Sequence, residues 1–279
     1  MSRAVWQVAP VSGGWMSVDG GTLFGVVPKM IWGKLVRADR RNCVRIPCRC
    51  LLARRGKEAV LVDTGYGGKT MPGERRAMKL EGGNPIFRSL EREGVRPGDV
   101  THVVMTHLHF DHAGGATLRD GRGDIVPAFP RARYWASRAE WRDAAGPIPA
   151  LRNAYPQENI APLVERGVDA AFEDGDEILP GISVKVTGGH TRGHAAVSIV
   201  TRQGPVLFIG ELVPTRWHAR ELWTSAFDAH PIETRVCKPK VFSWAYERGM
   251  RVYWPHDPEA EASRIAGFRG NDPVVEEIA

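Results

Sequence analysis

Residues 100–105 form an apolar, β-branched run that passes without a break into Thr106-His107-Leu108-His109-Phe110-Asp111-His112. The run reads as a buried strand. Its polar continuation is hard to explain as packing, because each buried imidazole or carboxylate without a partner costs about 1–3 kcal/mol. Residues two apart in an extended chain project to the same side, so His107, His109 and Asp111 are expected to converge as the chain leaves the strand, with His112 facing a neighbouring point. Imidazole and carboxylate suit zinc and similar divalent ions, and three nitrogen ligands with one open position make a catalytic zinc site. A solvated polar loop is the bland alternative. The other strand ends weaken it: Gly188-Gly189-His190-Thr191-Arg192-Gly193-His194 follows one predicted strand, Gly210-Glu211 a second and His256 a third, all places where ligands are held rigidly.

The rest of the chain alternates short apolar runs, bounded by Gly, Pro or Asp, with a few helical stretches, which predicts an α/β protein. Residues 48–53 and 59–62 read as a hairpin turning at Arg55-Gly56-Lys57. Residues 133–136 read as a strand, Ser137 as the cap of a helix over 138–144, and 159–166 as a further helix. Residues 182–186, 196–201 and 206–209 read as successive strands, and 251–254 as a last one. A helical pattern spans 231–248, where Pro239 is expected to kink or split it. The residues after Glu259 give no clear pattern.

At 279 residues and 43% apolar content the chain can bury a large core, and with no linker or low-complexity segment one domain is expected. No apolar run approaches the roughly 20 residues of a membrane span, and residues 1–10 lack the apolar stretch of a secretion signal. No membrane association and a cytoplasmic location are therefore the expectation. Cys43, Cys48, Cys50 and Cys237 are too sparse for a disulfide scaffold and lack the paired spacing of structural zinc sites, so reduced thiols are expected. The net charge of +6 comes from scattered arginines without a basic run, so it gives no strong nucleic-acid signal.

Taken in order, His-x-His-x-Asp-His, a lone His, an acidic residue and a final His resemble the metallo-β-lactamase-fold superfamily. Residues 106–112 supply the first element, His194 the lone histidine, Glu211 the acidic residue and His256 the last, and Asp63 in Val62-Asp63-Thr64-Gly65 matches the superfamily's upstream acidic motif. The likeness covers about residues 45–258. It implies a four-layer αββα sandwich of two mixed β-sheets with helices on the outer faces. It also implies one domain over 1–279, with an N-terminal extension and pocket loop over 1–44, a core over 45–258 and a tail over 259–279.

By the same resemblance His107, His109 and His194 would hold one metal ion, Asp111, His112 and His256 a second, and Glu211 would bridge them. The superfamily usually has Asp at the bridging place. Glu211 carries one more methylene, so it would bridge from a slightly retracted backbone or lean onto one ion. His190 would be a supporting residue and Asp63 would orient ligands, since metal-bound imidazoles usually need an acceptor on their other nitrogen. His102 is expected to be a satisfied histidine, while His218 and His230 are candidates for the pocket.

The implied activity is that of a dinuclear metallo-hydrolase in which a metal-bound hydroxide attacks and Asp111, the catalytic residue, positions water and shuttles its proton. The cofactors would be two divalent ions, zinc first, with iron, manganese or cobalt as alternatives. The partner would be a small-molecule substrate, and a homodimer is implied only by analogy. Met30-Ile31-Trp32, Trp217, Trp223 and Phe227 are candidate pocket walls, with buried structural tryptophans an equal alternative; as walls they would favour an ester or lactone, while Arg216 and Arg220 leave room for an anionic group. Phosphodiesterase, organophosphate hydrolase and β-lactamase-like activities are the alternatives, followed by a di-iron redox protein or a non-catalytic metal-binding module.

Overall fold

Along the strands that lead to the histidine motifs, side chains alternate between two buried environments. Leu51, Ala53, Val60, Val62 and Val104 enter one apolar cluster, while their chain neighbours Leu52, Leu61 and Val103 enter another. Successive side chains of a strand point to opposite faces, so a strand apolar at every position is covered on both sides. Val206 and Phe208 likewise face the first cluster, with Leu207 between them facing a third.

The computed structural model describes residues 5–146 and 154–278. Its strands are β1 (Gln7–Asp19), β2 (Cys43–Arg55), β3 (Glu58–Val62), β4 (His102–Val104), β5 (Thr117–Arg119), β6 (Ile125–Pro127), β7 (Arg133–Ser137), β8 (Asp169–Phe172), β9 (Glu177–Leu179), β10 (Ile182–Val186), β11 (Ala195–Thr201), β12 (Gly204–Phe208), β13 (Arg251–Tyr253), β14 (Ala262–Arg269) and β15 (Asp272–Glu277). Six of them form one sheet in the order β1-β2-β3-β4-β7-β8, seven form a second in the order β15-β14-β13-β12-β11-β10-β9, and β5 pairs with β6. Both large sheets are mixed: β3, β4, β7 and β8 run parallel, as do β12 and β13, and the other pairs within these sheets are antiparallel.

The two sheets pack face to face through the cluster that joins Val60, Val62 and Val104 to Val184, Val197, Val206 and Phe208. On the outer face of the first sheet, Leu61, Val103 and Tyr134 meet Ile86 and Leu90 of helix Pro85–Arg92, Trp141 of helix Arg138–Ala145 and Leu163 of helix Gln157–Glu165. On the outer face of the second, Leu207 and Val252 meet Val241, Phe242 and Ala245 of helix Pro231–Glu247. This is the four-layer αββα sandwich that the resemblance implies.

Three features depart from the sequence reading. Residues expected to serve as an N-terminal extension include β1, a 13-residue edge strand paired along β2. The stretch after Glu259 forms the hairpin β14–β15 at the edge of the second sheet. Helix Pro231–Glu247 runs through Pro239 as one element. A mid-helix proline costs about 3 kcal/mol; here the helix is pinned on both sides of it, by the buried Lys238 and by Val241 and Phe242 in the core. Cys48 and Cys50 are buried and all four cysteines are free thiols. Among the described residues no helix is long and apolar enough to cross a membrane.

Candidate metal centre

The motif residues meet at one edge of the sandwich, where strands of both sheets end. Asp63 follows β3, His107 and His109 follow β4, His190 lies in the turn from β10 to β11, Glu211 follows β12 and His256 follows β13. The extended course assumed for residues 107–111 stops at His109, because a helical turn, Phe110–Ala113, begins there. That turn carries Asp111 away from His107 and His109 and sets it beside His112.

Two ligand groups result. His107, His109, His190 and Glu211 place ligand atoms within 4.8 Å of one another, and Asp111, His112, Glu211 and His256 do the same. Glu211 belongs to both. Its Oε2 lies 2.6 Å from His190 Nε2 and 3.5 Å from His107 Nε2, and its Oε1 lies 3.1 Å from His256 Nε2. The extra methylene thus does not confine it to one group.

The outward nitrogens of these rings are already used. Nδ1 of His112 donates to Asp63 (2.7 Å), Nδ1 of His190 to Asp228 (2.9 Å) and Nδ1 of His256 to the Pro47 carbonyl (2.7 Å). His107 Nδ1 is 3.1 Å from Thr106 Oγ1, which itself donates to Asp63. The Nε2 atoms of His107, His112, His190 and His256 are therefore turned inward, each able to hold a proton or a metal ion. His190 Nε2 stands 3.1 Å from His109 Nδ1, and His107 Nε2 is buried with no hydrogen-bond partner. Imidazole nitrogens and carboxylate oxygens crowded in this way, with acceptors behind the rings, are a donor set that fits divalent cations of the zinc class.

Electrostatics follow the same geometry. Burial opposes charge on His190, yet Glu211 and Asp228 outweigh it and push the imidazole up to about 10. At His112 burial is outweighed by Asp111 and Asp63, and the ring is pushed up to about 9. Burial, helped by His190, pushes His109 down to about 3. Glu211 is held well below the ordinary carboxylate range, because the surrounding histidines, His190 first, outweigh the effect of burial. Asp63 adopts a left-handed backbone, φ 58°, a conformation that costs a non-glycine residue about 1–3 kcal/mol. In it the carboxylate accepts from the Thr106 N–H and hydroxyl as well as from His112.

The resemblance placed His194 among the ligands and His190 among their supports; in the structure His190 falls in the first candidate group and His194 in neither. Both nitrogens of His194 are occupied: Nδ1 lies 2.6 Å from Thr187 Oγ1, and Nε2 accepts the Leu212 N–H at 3.3 Å. Its ring also packs against Gly210, whose φ is +59°; a Cβ there would lie 2.4 Å from His194 Nε2. His194 is thus the surface on which the Glu211 turn is laid. The spacing gave no signal between the two, since both histidines lie in one turn and both are buried.

His102 lies half-buried beside Thr101, and His218 is buried between Thr215 and the Leu23 carbonyl. His230 lines the cavity described below. Sequence reasoning did not find Asp228, the Pro47 carbonyl or Glu140. The first two act from segments with no motif of their own, and Glu140 reads as an ordinary first-turn acid of a helix.

A cavity of 730 Å³ opens onto the ligand groups and has His109, Asp111, His190 and Glu211 at its floor. Met16, Val18, Leu23, Ile46, Met78 and Phe227 form apolar walls. Of the expected wall residues only Phe227 lines it. Trp32, Trp217 and Trp223 are buried with Phe24 in a neighbouring cluster, and Met30 and Ile31 are exposed. Neither Arg216, tied to Asp257, nor Arg220, stacked on Trp223, lines the cavity.

The family profile described as the metallo-beta-lactamase superfamily matches residues 44–263. A probable metallo-hydrolase of Mycobacterium tuberculosis is 32% identical over 218 residues, an alignment covering 68% of this chain and 66% of that protein. The chain thus spans just under two thirds of that relative's length. An N-acyl homoserine lactonase of a Bacillus species is 29% identical over 230 residues, covering 77% of this chain and 83% of that protein. A solved structure of a probable metal-dependent hydrolase from Staphylococcus aureus superposes with a TM-score of 0.88 at 26% identity, covering 100% of this chain and 99% of that one. With the profile running from β2 into β14, across every strand end that supplies the two ligand groups, the chain belongs to the metallo-beta-lactamase superfamily.

Proposed function

We propose that this protein is a hydrolase that holds two divalent cations, zinc first, and cleaves a small ester or lactone with an apolar tail. One observation carries the reading: Glu211, shared by two histidine-rich groups, forms the floor of a cavity whose walls are apolar. His107, His109 and His190 would hold one cation, Asp111, His112 and His256 the other, and Glu211 both. When bound, such a pair supplies Lewis acidity at the substrate oxygen and a water acidic enough to ionise near neutral pH.

The chain's own groups do the rest. Asp111 faces the cavity, with its Oδ2 3.4 Å from His256 Nε2 and 3.5 Å from His112 Nε2. From there its carboxylate orients the attacking water, takes its proton and passes it to the leaving oxygen. Met16, Leu23, Ile46 and Met78 hold the tail and keep bulk water off the floor. No serine or cysteine nucleophile is needed.

The likeness to an N-acyl homoserine lactonase supports the lactone class. A phosphodiester reading has less support, because among the described residues the one guanidinium on the cavity wall, that of Arg192, is held by Asp143. The test is elemental analysis of the purified protein together with turnover of acyl lactones, carboxylic esters, phosphodiesters and β-lactams. About two ions per chain with lactone or ester turnover supports the proposal; ion-loaded protein active only on phosphodiesters, or on nothing, rejects it.

A further inference from the structure

We propose that Glu140 is a positioning residue for the first cation site, a buried anionic clamp that fixes His190 relative to His107 and His109; the inference rests on the metal-centre reading above. Glu140 is fully buried in the first turn of helix Arg138–Ala145, which Ser137 caps by accepting its N–H. Its Oε2 accepts the Leu108 N–H at 3.0 Å, between the two histidines that follow β4. Its Oε1 accepts the Thr191 hydroxyl, next to His190, and the Tyr155 hydroxyl at 3.4 Å. One carboxylate thus ties together two segments that are remote in sequence and deliver three ligands of one site.

All three partners can donate to its oxygens, and these bonds oppose the burial that raises the carboxyl's affinity for a proton. The turn is pressed onto this helix at two further points. Arg192 Nε donates to Asp143 at 2.9 Å, and a Cβ on Gly193 would lie 2.5 Å from Glu140 N and 2.3 Å from Ser137 Oγ. The second site does not depend on Glu140, since Asp63 grips His112 and the Pro47 carbonyl grips His256. Loss of the clamp should therefore loosen one site and spare the other, which a general packing role would not do.

The experiment is a chelator titration of the zinc-loaded protein, repeated with cobalt to read the visible spectrum of each site. Glu140→Gln keeps the shape but sets an amide donor against one of the three donors. We expect one of its two ions to leave at roughly ten- to hundredfold lower chelator concentration, the range for lost supporting bonds at metal ligands. The other ion should hold as in the wild type, and one cobalt spectrum alone should change. Thr191→Val cuts only the link to the His190 turn and should give a smaller shift of the same kind; it carries the test if Glu140→Gln does not fold. Trp141→Phe, a packing control on the same helix whose indole N–H donates to the Ala170 carbonyl, should lower Tm with no site-selective loss. Two ions held at wild-type affinity in both variants, or both weakened equally in step with Tm, overturns the role of Glu140. A wild-type protein that takes up no ion overturns the hydrolase reading itself.

Discussion

The Nε2 atoms of His112 and His256 face each other at 3.2 Å, while Nδ1 of each donates outward, to Asp63 and to the Pro47 carbonyl. Two lone pairs so close repel unless a positive charge sits with them, either a proton or a metal ion. The same holds for His190 and His109, 3.1 Å apart.

Cation uptake should therefore release protons. His190, pushed up to about 10, and His112, pushed up to about 9, are charged in the ion-free protein at pH 7 and must lose a proton to become ligands. Apparent zinc affinity should rise with pH until those rings are neutral. Because both values lie above that of a free histidine, their charge stabilises the ion-free fold below about pH 6.5 and is lost as pH rises through 9 to 10. Calorimetry in buffers of different ionisation enthalpy measures the protons released; none released at pH 7 contradicts this account.

Replacing the two histidines of the β10–β11 turn should separate their roles. His190→Ala removes a ligand and should leave about one ion per chain. His194→Ala should keep both ions at saturating zinc but lower stability by about 2–4 kcal/mol, through a cavity and the unpaired Leu212 N–H. Elemental analysis and urea denaturation distinguish them, and the reverse pattern would restore the assignment drawn from resemblance.

Glu211→Ala should lower bound metal below the wild-type stoichiometry, because the carboxylate touches both groups. Glu211→Asp, the residue usual in the superfamily, should retain both ions. Unchanged metal content in the alanine variant would rule out Glu211 as a ligand.

Lys238 is fully buried, and its ammonium donates to the carbonyls of His218, Arg220 and Trp223 at 2.5–2.9 Å. Lys238→Met keeps the apolar stem but leaves three acceptors without their donor. A loss of about 2–4 kcal/mol in urea unfolding is expected, with the segment carrying Trp217 and Trp223 becoming the first to exchange its amide hydrogens.

Ile46→Trp should fill part of the cavity without touching the floor. If the apolar walls hold a substrate tail, kcat/KM should fall at least about tenfold for a ten-carbon acyl lactone, equivalent to about 1.4 kcal/mol, and much less for a four-carbon one. An equal loss for both would mean the tail lies elsewhere.

Much of this was legible along the chain. The run into His107-Leu108-His109 could be read because a strand end and its next few residues are fixed by local backbone geometry. The layers came through the family resemblance, and the apolar succession Leu51-Leu52-Ala53, shared between two core clusters, agrees with them. The strand β1 was missed because its sequence, interrupted by Gly13-Gly14, lacks a regular alternation, and its pairing with β2 supplies the order instead.

The sequence by itself determined the α/β class and the pool of ligand types, since these follow from side-chain period and short-range spacing, while the two-sheet layering was implied by the family resemblance. Tertiary structure alone decided which histidine of Gly189-His190-Thr191-Arg192-Gly193-His194 joins the candidate ligand group. Both lie in one turn, and the choice was made by Gly210 and Leu212 closing on His194 while Asp228 drew His190 round, contacts between segments that covalent geometry does not link.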